Sequence, residues 1–373
     1  MGVERSDRLM SLDALRGFDM FWILYPSYPI FHALLVALGL KGCWIDMQMD
    51  HPEWIGFTFY DTIYPLFLFM AGVSWPYSLA SSRAKGVSTL AISLRVLRRA
   101  VVLFVLGMVV HGFLQNGFCG RISSVLGSIG IAWGAAAFLF MAFGWRARLA
   151  TCAAVLVAYG AIPFLVSPPG ADSPLLPYAD KASCLYAWID ASLMPKPQIA
   201  GGMANHFPMV VTALMGMFAG EWLRRESPGL DRHRKAAGLA AAAAVCVAAG
   251  LVAAFCLGRW SVPLVKSGWS SSYALVTGGY SFAMLALFYW MIDVKGWTKW
   301  SFPFRVIGMN AIFAYMASRS IFPWRVEMDV LFGGVMRCMP TPEWGAFAGQ
   351  LGYVVVYWLL LYCMYRRQIF LKA

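Results

Sequence analysis

The sequence has 373 residues, of which 60% are hydrophobic and 13% charged, and its mean hydropathy is +0.64. Soluble domains average about 25% charged residues. The composition therefore excludes a water-soluble globular protein and predicts an all-α, polytopic membrane protein with a single transmembrane domain over 1–373. The net charge of +12 does not imply a nucleic-acid partner, because membrane proteins concentrate lysine and arginine in their cytoplasmic loops.

About ten hydrophobic segments are long enough to cross a bilayer. The first contains Asp13, Arg16 and Asp19 and is not followed by a small-residue cleavage site, so we interpret it as a retained span and not as a signal peptide. The predicted spans are 15–38, 57–80, 96–115, 125–143, 148–167, 207–224, 236–257, 271–292, 302–318 and 346–365.

The distribution of basic residues predicts the orientation. Ten spans place both termini on one side, and 21 of the 30 lysine and arginine residues fall on that side. Cytoplasmic loops carry the excess of basic residues, so both termini are predicted to be cytoplasmic. The loop around His51 and the longest loop, 168–205, are then external. Four cysteines also fall in external loops, where the formation of one or two disulfides is left open: Cys43, Cys119, Cys184 and Cys338.

The stretch 48–74 combines the groups of a polar site at the outer membrane surface. His51 lies in a short polar loop, and histidine exchanges protons near neutral pH. Asp61 lies in the first turns of the second span, where an ionisable group is costly and indicates function. Pro65 has no N–H, so it leaves the carbonyl of Asp61 without its helical partner. His51 is the nearest outer partner for Asp61 in the sequence.

Other polar residues have a structural and a functional interpretation. Asn310 is first interpreted as a helix-packing residue. Arg16 either forms a charge network with Asp13 and Asp19 or binds anionic phosphates with Arg95, Arg98 and Arg99. The sequence contains no CxxC, HExxH or Cys/His cluster, so no metal site is predicted. The spacing of Gly216 and Gly220, and of Gly130 and Gly134, permits close helix contact.

Six segments together form a pattern that resembles the heparan-α-glucosaminide N-acetyltransferase family. They resemble in particular its bacterial members, which lack the luminal domain of the animal enzyme. The segments are RLMSLDALRGFDMFWIL (8–24), HPEWIGFTFYDTIYPLFLFMAGVS (51–74), RISSVLGSIGIAW (121–133), VPLVKSGWSSSY (262–273), FPFRVIGMNAIFAY (302–315) and YRRQIFLKA (365–373).

The resemblance implies an enzyme of the bacterial inner membrane that uses acetyl-CoA. It would transfer an acetyl group from the cytoplasmic side to the free amine of a terminal glucosamine-type sugar on the other side. His51, with Trp54, Gly56, Thr58 and Asp61, matches the setting of the family's essential histidine. His51 could act as a general base or as a transient acetyl carrier, and Asp61 could orient its ring or hold the acceptor.

The same resemblance suggests further site residues. The family's asparagine is absent from 25–49, and Gln48 could substitute for it. A homodimer is left open. The expected cofactor-binding residues are Arg16, Arg121, Lys266, Trp269 and Ser270, and the expected substrate-binding residues are Gln48, Trp54 and Asn310.

A transporter is the alternative hypothesis. It would carry an amino sugar and use Asp61 as a membrane-embedded carboxylate for proton coupling. Transport without acetyl-CoA would distinguish it from an enzyme, which changes the mass of the sugar.

Overall fold

In a computed structural model of the protein, the described residues are 9–24, 27–110, 124–169, 178, 184–193, 202–318 and 324–371, with only the backbone described at 27–29 and 324–328. Every regular element in these ranges is helical, which confirms the all-α prediction. The α-helices are α1 (Met10–Ile23), α2 (Ser27–Ala37), α3 (Trp44–Gln48), α4 (Ile63–Val73), α5 (Trp75–Ala84), α6 (Thr89–Val110), α7 (Val125–Ala142), α8 (Trp145–Leu165), α9 (Leu185–Leu193), α10 (His206–Arg224), α11 (Arg232–Phe255), α12 (Ser271–Tyr289), α13 (Phe302–Met309), α14 (Ala311–Met316), α15 (Trp324–Arg337) and α16 (Pro342–Arg366). Short 3₁₀ turns cover Phe59–Thr62 and Gly258–Trp260, and a π-helical turn, Trp290–Val294, extends α12.

Six helical segments within the described residues are long and apolar enough to cross a membrane. Six of the ten predicted spans match these segments; the other four correspond to α1 with α2, to α6, to α10, and to α13 with α14. The prediction of exactly ten spans with cytoplasmic termini remains a prediction. The six segments are Phe59–Ala84, Val125–Ala142, Trp145–Leu165, Arg232–Phe255, Ser271–Val294 and Pro342–Arg366.

Two predicted spans are not continuous helices. The first is divided between α1 and α2, and Pro29 lies in the first turn of α2, where a missing N–H costs no hydrogen bond. The ninth is interrupted at Asn310, whose backbone is not helical. The Asn310 side-chain amide donates to the Ile369 carbonyl at 2.9 Å, and its oxygen accepts from the Leu371 N–H at 3.1 Å. Asn310 therefore anchors the C-terminal segment.

Besides the five-residue α3, two helices lie outside the predicted spans. Helix α9 lies inside the loop 168–205, whose proline and glycine content indicated irregular structure. Helix α15 packs on α16 in the region that the sequence assigned to a loop. Both are short, and each carries charged residues, so neither gives the continuous apolar signal of a membrane span.

Helix α4, which directly follows the turn that contains Asp61, packs closely against α10. A Cβ atom on Gly216 would lie 2.0 Å from the Phe69 carbonyl oxygen, and one on Gly220 would lie 2.2 Å from that of Val73. On the other helix, a Cβ atom on Gly72 would meet the Ala213 carbonyl oxygen at 2.2 Å. Helices in membranes associate through such small residues, and the predicted close contact at Gly216 and Gly220 is confirmed.

Candidate functional site

His51 and Asp61 form a hydrogen-bonded pair at one end of the helical bundle. The distance between His51 Nδ1 and Asp61 Oδ1 is 2.8 Å. The Asp61 side chain is fully buried, whereas 41% of the His51 side chain is exposed. The ring of His51 also lies 4.8 Å from that of Tyr60, measured between centroids. The pair thus joins a buried carboxylate to an imidazole that remains accessible.

The start of the second predicted span holds the Asp61 carboxylate in place. Thr58 precedes the 3₁₀ turn, and its backbone N–H donates to Asp61 Oδ2 at 3.0 Å. The Thr58 hydroxyl donates to the Asp50 carbonyl at 2.7 Å, so it also fixes the loop that carries His51. A carboxylate on the first helical N–H groups is favoured by the helix dipole. Both Asp61 oxygens are therefore engaged, one by the helix and one by His51.

The Asp61 carbonyl that Pro65 leaves free has a distant partner. The Tyr273 hydroxyl, on α12, donates to this oxygen at 2.6 Å. Tyr273 is fully buried. The bond satisfies a backbone acceptor that would otherwise be costly inside the bundle, and it connects the first turn of the second span to α12.

Lys266 completes the charged group. Its Nζ atom lies 2.7 Å from His51 Nε2, 3.0 Å from His51 Nδ1 and 3.4 Å from Asp61 Oδ1. We assign Nδ1–H as the donor to Asp61 and Nε2 as the acceptor from Lys266, because this tautomer satisfies all three groups. Burial lowers the pKa of Lys266 from its ordinary value, against the attraction of Asp61.

The loop 261–270 presents Lys266 to His51. The Ser270 hydroxyl accepts from the Val265 N–H at 3.1 Å and donates to the Pro263 carbonyl at 2.7 Å. The Leu264 carbonyl accepts from the Gly56 N–H at 3.0 Å, which joins this loop to the loop of His51. Gly56 has φ +150°, and a Cβ atom there would lie 2.8 Å from Cβ of Pro52. The predicted cofactor-binding residue Ser270 therefore shapes the loop.

Trp269 belongs to the same loop, and its side chain is buried. Its backbone has φ 42°, a conformation that large L-residues rarely adopt. The indole N–H donates to the Thr212 hydroxyl at 3.3 Å, and the ring lies 5.0 Å from that of Tyr64 and 5.4 Å from that of Tyr273. Only 1% of Trp269 is exposed. Trp269 thus anchors the loop that carries Lys266 and has little surface left for a ligand.

Gln48 and Trp54 lie on either side of His51 in sequence and make backbone contacts. The Gln48 side-chain oxygen accepts from the Phe59 N–H at 3.0 Å, at the start of the 3₁₀ turn. The Trp54 indole N–H donates to the Tyr178 carbonyl at 2.9 Å, and its ring packs on a small aromatic cluster that contains Tyr178. Their predicted substrate-binding roles remain predictions, and both residues also order the loop of His51.

Arg16 lies apart from the His51 group, in α1. It donates to the Ser74 hydroxyl and lies 3.6 Å from Asp13. The guanidinium of Arg99 is close enough for the two charges to repel each other. Arg99 lies 4.4 Å over the Trp133 ring, and its buried Nε has no hydrogen-bond partner among the described residues. The sequence placed these two arginines together on the cytoplasmic side.

Several residues singled out in the sequence are not part of this site. Arg121 and Cys119 lie outside the described residues, and Asn310 binds the C-terminal backbone. Cys43 and Cys338 are free thiols. The site therefore consists of His51, Asp61 and Lys266, supported by the loop contacts described above.

Comparison with known proteins identifies the family. The family model described as the catalytic domain of heparan-alpha-glucosaminide N-acetyltransferase matches residues 8–256. The mouse protein of that name is 22% identical to the chain over 98% of the chain and 61% of the mouse protein. The human protein is 23% identical over 86% of the chain and 55% of the human protein. The chain therefore spans less than two thirds of the length of these curated relatives.

The matched range contains His51 and Asp61 with their supporting residue Thr58. Lys266 lies ten residues beyond its end. Since the match covers more than half of the chain, the protein belongs to the heparan-α-glucosaminide N-acetyltransferase catalytic family.

Proposed function

We propose that this protein is a transmembrane N-acetyltransferase that uses acetyl-CoA and acetylates the amine of a glucosamine-type sugar. The observation that carries the proposal is the exposed His51 ring held by the fully buried Asp61 carboxylate, in a chain of this family. An attacking amine must lose a proton when it bonds to the thioester carbon. A positioned base contributes about 10²–10⁴-fold to such a reaction.

His51 is the base in this proposal. In the assigned tautomer Nε2 carries the basic lone pair, and Nδ1–H donates to Asp61 at 2.8 Å. When Nε2 takes the proton from the acceptor amine, the buried carboxylate stabilises the imidazolium and keeps the ring oriented. Lys266 now stands at Nε2, so its ammonium must withdraw before the acceptor amine can bind there.

Arg16 and Arg99 suit the phosphates of the donor. The guanidinium groups of Arg16 and Arg99 lie close enough to repel each other, and Asp13 lies 3.6 Å from Arg16. The buried Arg99 Nε without a partner among the described residues is a donor that an anion would satisfy. Arginine binds phosphate oxygens in a planar, bidentate manner. On the predicted orientation these residues face the cytoplasm, where acetyl-CoA is available.

The test measures acetyl transfer across a liposome membrane. Purified protein is reconstituted with labelled acetyl-CoA inside and glucosamine outside, and the mass of the sugar is followed. We expect N-acetylglucosamine to form, and His51→Ala to lose about 10²-fold or more of the turnover. His32→Ala is the matched control, because His32 forms a similar pair with Asp46 at 2.7 Å outside the site.

Two outcomes would contradict the proposal. Unchanged turnover in His51→Ala would remove the catalytic role of the imidazole. Accumulation of unmodified labelled sugar without acetyl-CoA would instead support the transport hypothesis.

A further inference from the structure

The chain places a primary amine of its own at the catalytic base. Lys266 Nζ lies 2.7 Å from His51 Nε2, the atom that would accept a proton from the amine of the acceptor. A general base must be within about 2.6–3.2 Å of the group that it deprotonates. Lys266 already meets this requirement, and Nζ, like the amine of an amino sugar, is a primary amine.

The surrounding loop keeps this amine at the site. Only 24% of the Lys266 side chain is exposed. The backbone on both sides is fixed, by the Ser270 hydroxyl to Val265 and by the Leu264 carbonyl to Gly56. Among the residues that the structure describes, the charged or titratable groups within 3.5 Å of Nζ are His51 and Asp61. The lysine is thus directed at the base and is not a solvated surface residue.

We infer that Lys266 is a self-acetylation site, at which the protein transfers an acetyl group from an acetyl thioester to its own lysine when no amine acceptor is bound. The inference rests on the proposed function, because His51 serves as the base in both reactions. The acceptor sugar and Lys266 then compete for one position, and a bound acceptor protects the lysine.

The chemistry balances without another reactant. The Lys266 ammonium first releases one proton to solvent, and the neutral Nζ attacks the carbonyl carbon of the thioester. An N–C bond forms, the C–S bond breaks, and the second proton of Nζ passes to His51 Nε2. The leaving thiolate then takes that proton from the imidazolium, so the products are an N-acetyl-lysine, free thiol and one released proton.

Mass spectrometry of the intact, reconstituted protein tests this inference. The protein is incubated with labelled acetyl-CoA, with and without glucosamine, and is then treated with neutral hydroxylamine, which cleaves acetyl groups from imidazole and thiol but leaves lysine amides. Acetylation of glucosamine is measured in the same samples. Lys41 is the internal control, because it is exposed and reports non-enzymatic acetylation.

We expect the label on Lys266 in the absence of sugar, less label when glucosamine is present, and none on Lys41. His51→Ala should reduce the label on Lys266 by about 10²-fold or more. Lys266→Arg keeps the positive charge but removes the nucleophile, so its site peptide should remain unlabelled.

The other outcomes separate the two proposals. If glucosamine is acetylated while Lys266 stays unlabelled, self-acetylation is refuted and the proposed function stands. If neither the sugar nor the lysine is acetylated, the proposed function fails and the inference fails with it. Equal labelling of Lys41 and Lys266, unchanged in His51→Ala, would show chemical acetylation and also refute the inference.

Discussion

Replacing Asp61 by asparagine is the sharpest test of the His51–Asp61 pair. The carboxylate accepts on both sides, from the Thr58 N–H at 3.0 Å and from His51 Nδ1–H. An amide has one oxygen and can accept on only one side. If the amide oxygen stays on Thr58, the amide nitrogen faces Nδ1 and selects the tautomer with hydrogen on Nε2, so the base is lost. If the amide reverses, two N–H groups oppose each other at Thr58.

The size of the effect follows from these contacts. A hydrogen bond to a charged group contributes about 1.5–3 kcal/mol, which corresponds to roughly 10- to 150-fold in rate. The Asp61 side chain is fully buried, so solvent does not weaken this contribution. The wrong tautomer removes the base in addition. We therefore expect kcat for acetyl transfer to fall by about 10²–10⁴-fold in Asp61→Asn.

The assay is single-turnover acetyl transfer to glucosamine in detergent, accompanied by thermal unfolding of each variant. Asp46→Asn is the matched control, because Asp46 also accepts on both sides, from the Gly42 N–H at 2.9 Å and at His32. This control should lose less stability, because Asp46 is more exposed to solvent than Asp61, and it should keep its kcat. If Asp61→Asn keeps kcat within a few-fold of the wild type, the pair does not set the state of the base, and the catalytic argument fails.

Two further predictions concern the helix that carries Asp61 and the charge beside it. Gly216→Ala should destabilise the protein by about 1–3 kcal/mol in thermal unfolding, because the new Cβ atom would lie 2.0 Å from the Phe69 carbonyl oxygen. Gly334→Ala is the control: a Cβ atom at Gly334 has no neighbour within 4 Å, so this variant should be neutral or stabilising. Burial lowers the pKa of Lys266 in the folded state. Below this lowered pKa the lysine is protonated in both the folded and the unfolded protein, and the folded protein bears the full cost of burying the charge. Stability should therefore rise with pH between the lowered pKa and the ordinary lysine value of about 10.4, and Lys266→Met should lack this rise in pH-dependent unfolding.

The local part of the site was predictable from sequence. Asp61 follows His51 by ten residues, and an ionisable group in the first turns of a membrane span requires a near partner. The structure pairs the two residues, although their catalytic roles remain predictions. Pro65 indicated that the Asp61 carbonyl lacks its helical bond. Its actual partner, Tyr273, is 212 residues away, and nothing in the local pattern could identify it.

The distant part of the site was not predictable. Lys266 was predicted to bind the cofactor, which remains a prediction, and its contact with His51, 215 residues away in the sequence, was not predicted. Trp269 and Ser270 were predicted to bind the cofactor with it, and these roles remain predictions; the structure shows that both residues also shape and anchor the loop. A motif shows which residues belong to one loop. It does not show which of them point at another segment, because that depends on the packing of α12 beside the second span.

The fold shows the same division between local and distant information. Apolar length located the long helices, since a span of about 20 apolar residues is a strong local signal. The interruption at Asn310 was missed, because an isolated polar residue in an apolar run is compatible with a continuous helix. At the interruption the Asn310 amide donates to the carbonyl of Ile369, 59 residues away, a contact that the local sequence could not indicate.

The charge balance of the site limits how an acceptor can bind. One buried carboxylate, Asp61, lies 3.4 Å from one ammonium, Lys266, and both contact the His51 imidazole. A second ammonium at His51 Nε2 would lie beside the Lys266 ammonium, and two like charges at this distance repel each other. The acceptor must therefore arrive as a neutral amine, or Lys266 must withdraw as it enters. A neutral amine still needs the position at His51 Nε2 that Lys266 Nζ occupies at 2.7 Å, so the acceptor and Lys266 exclude each other at the base by either route. Lys266→Arg keeps a positive charge at this position, so its KM for the sugar, measured beside the wild type, should equal or exceed the wild-type value.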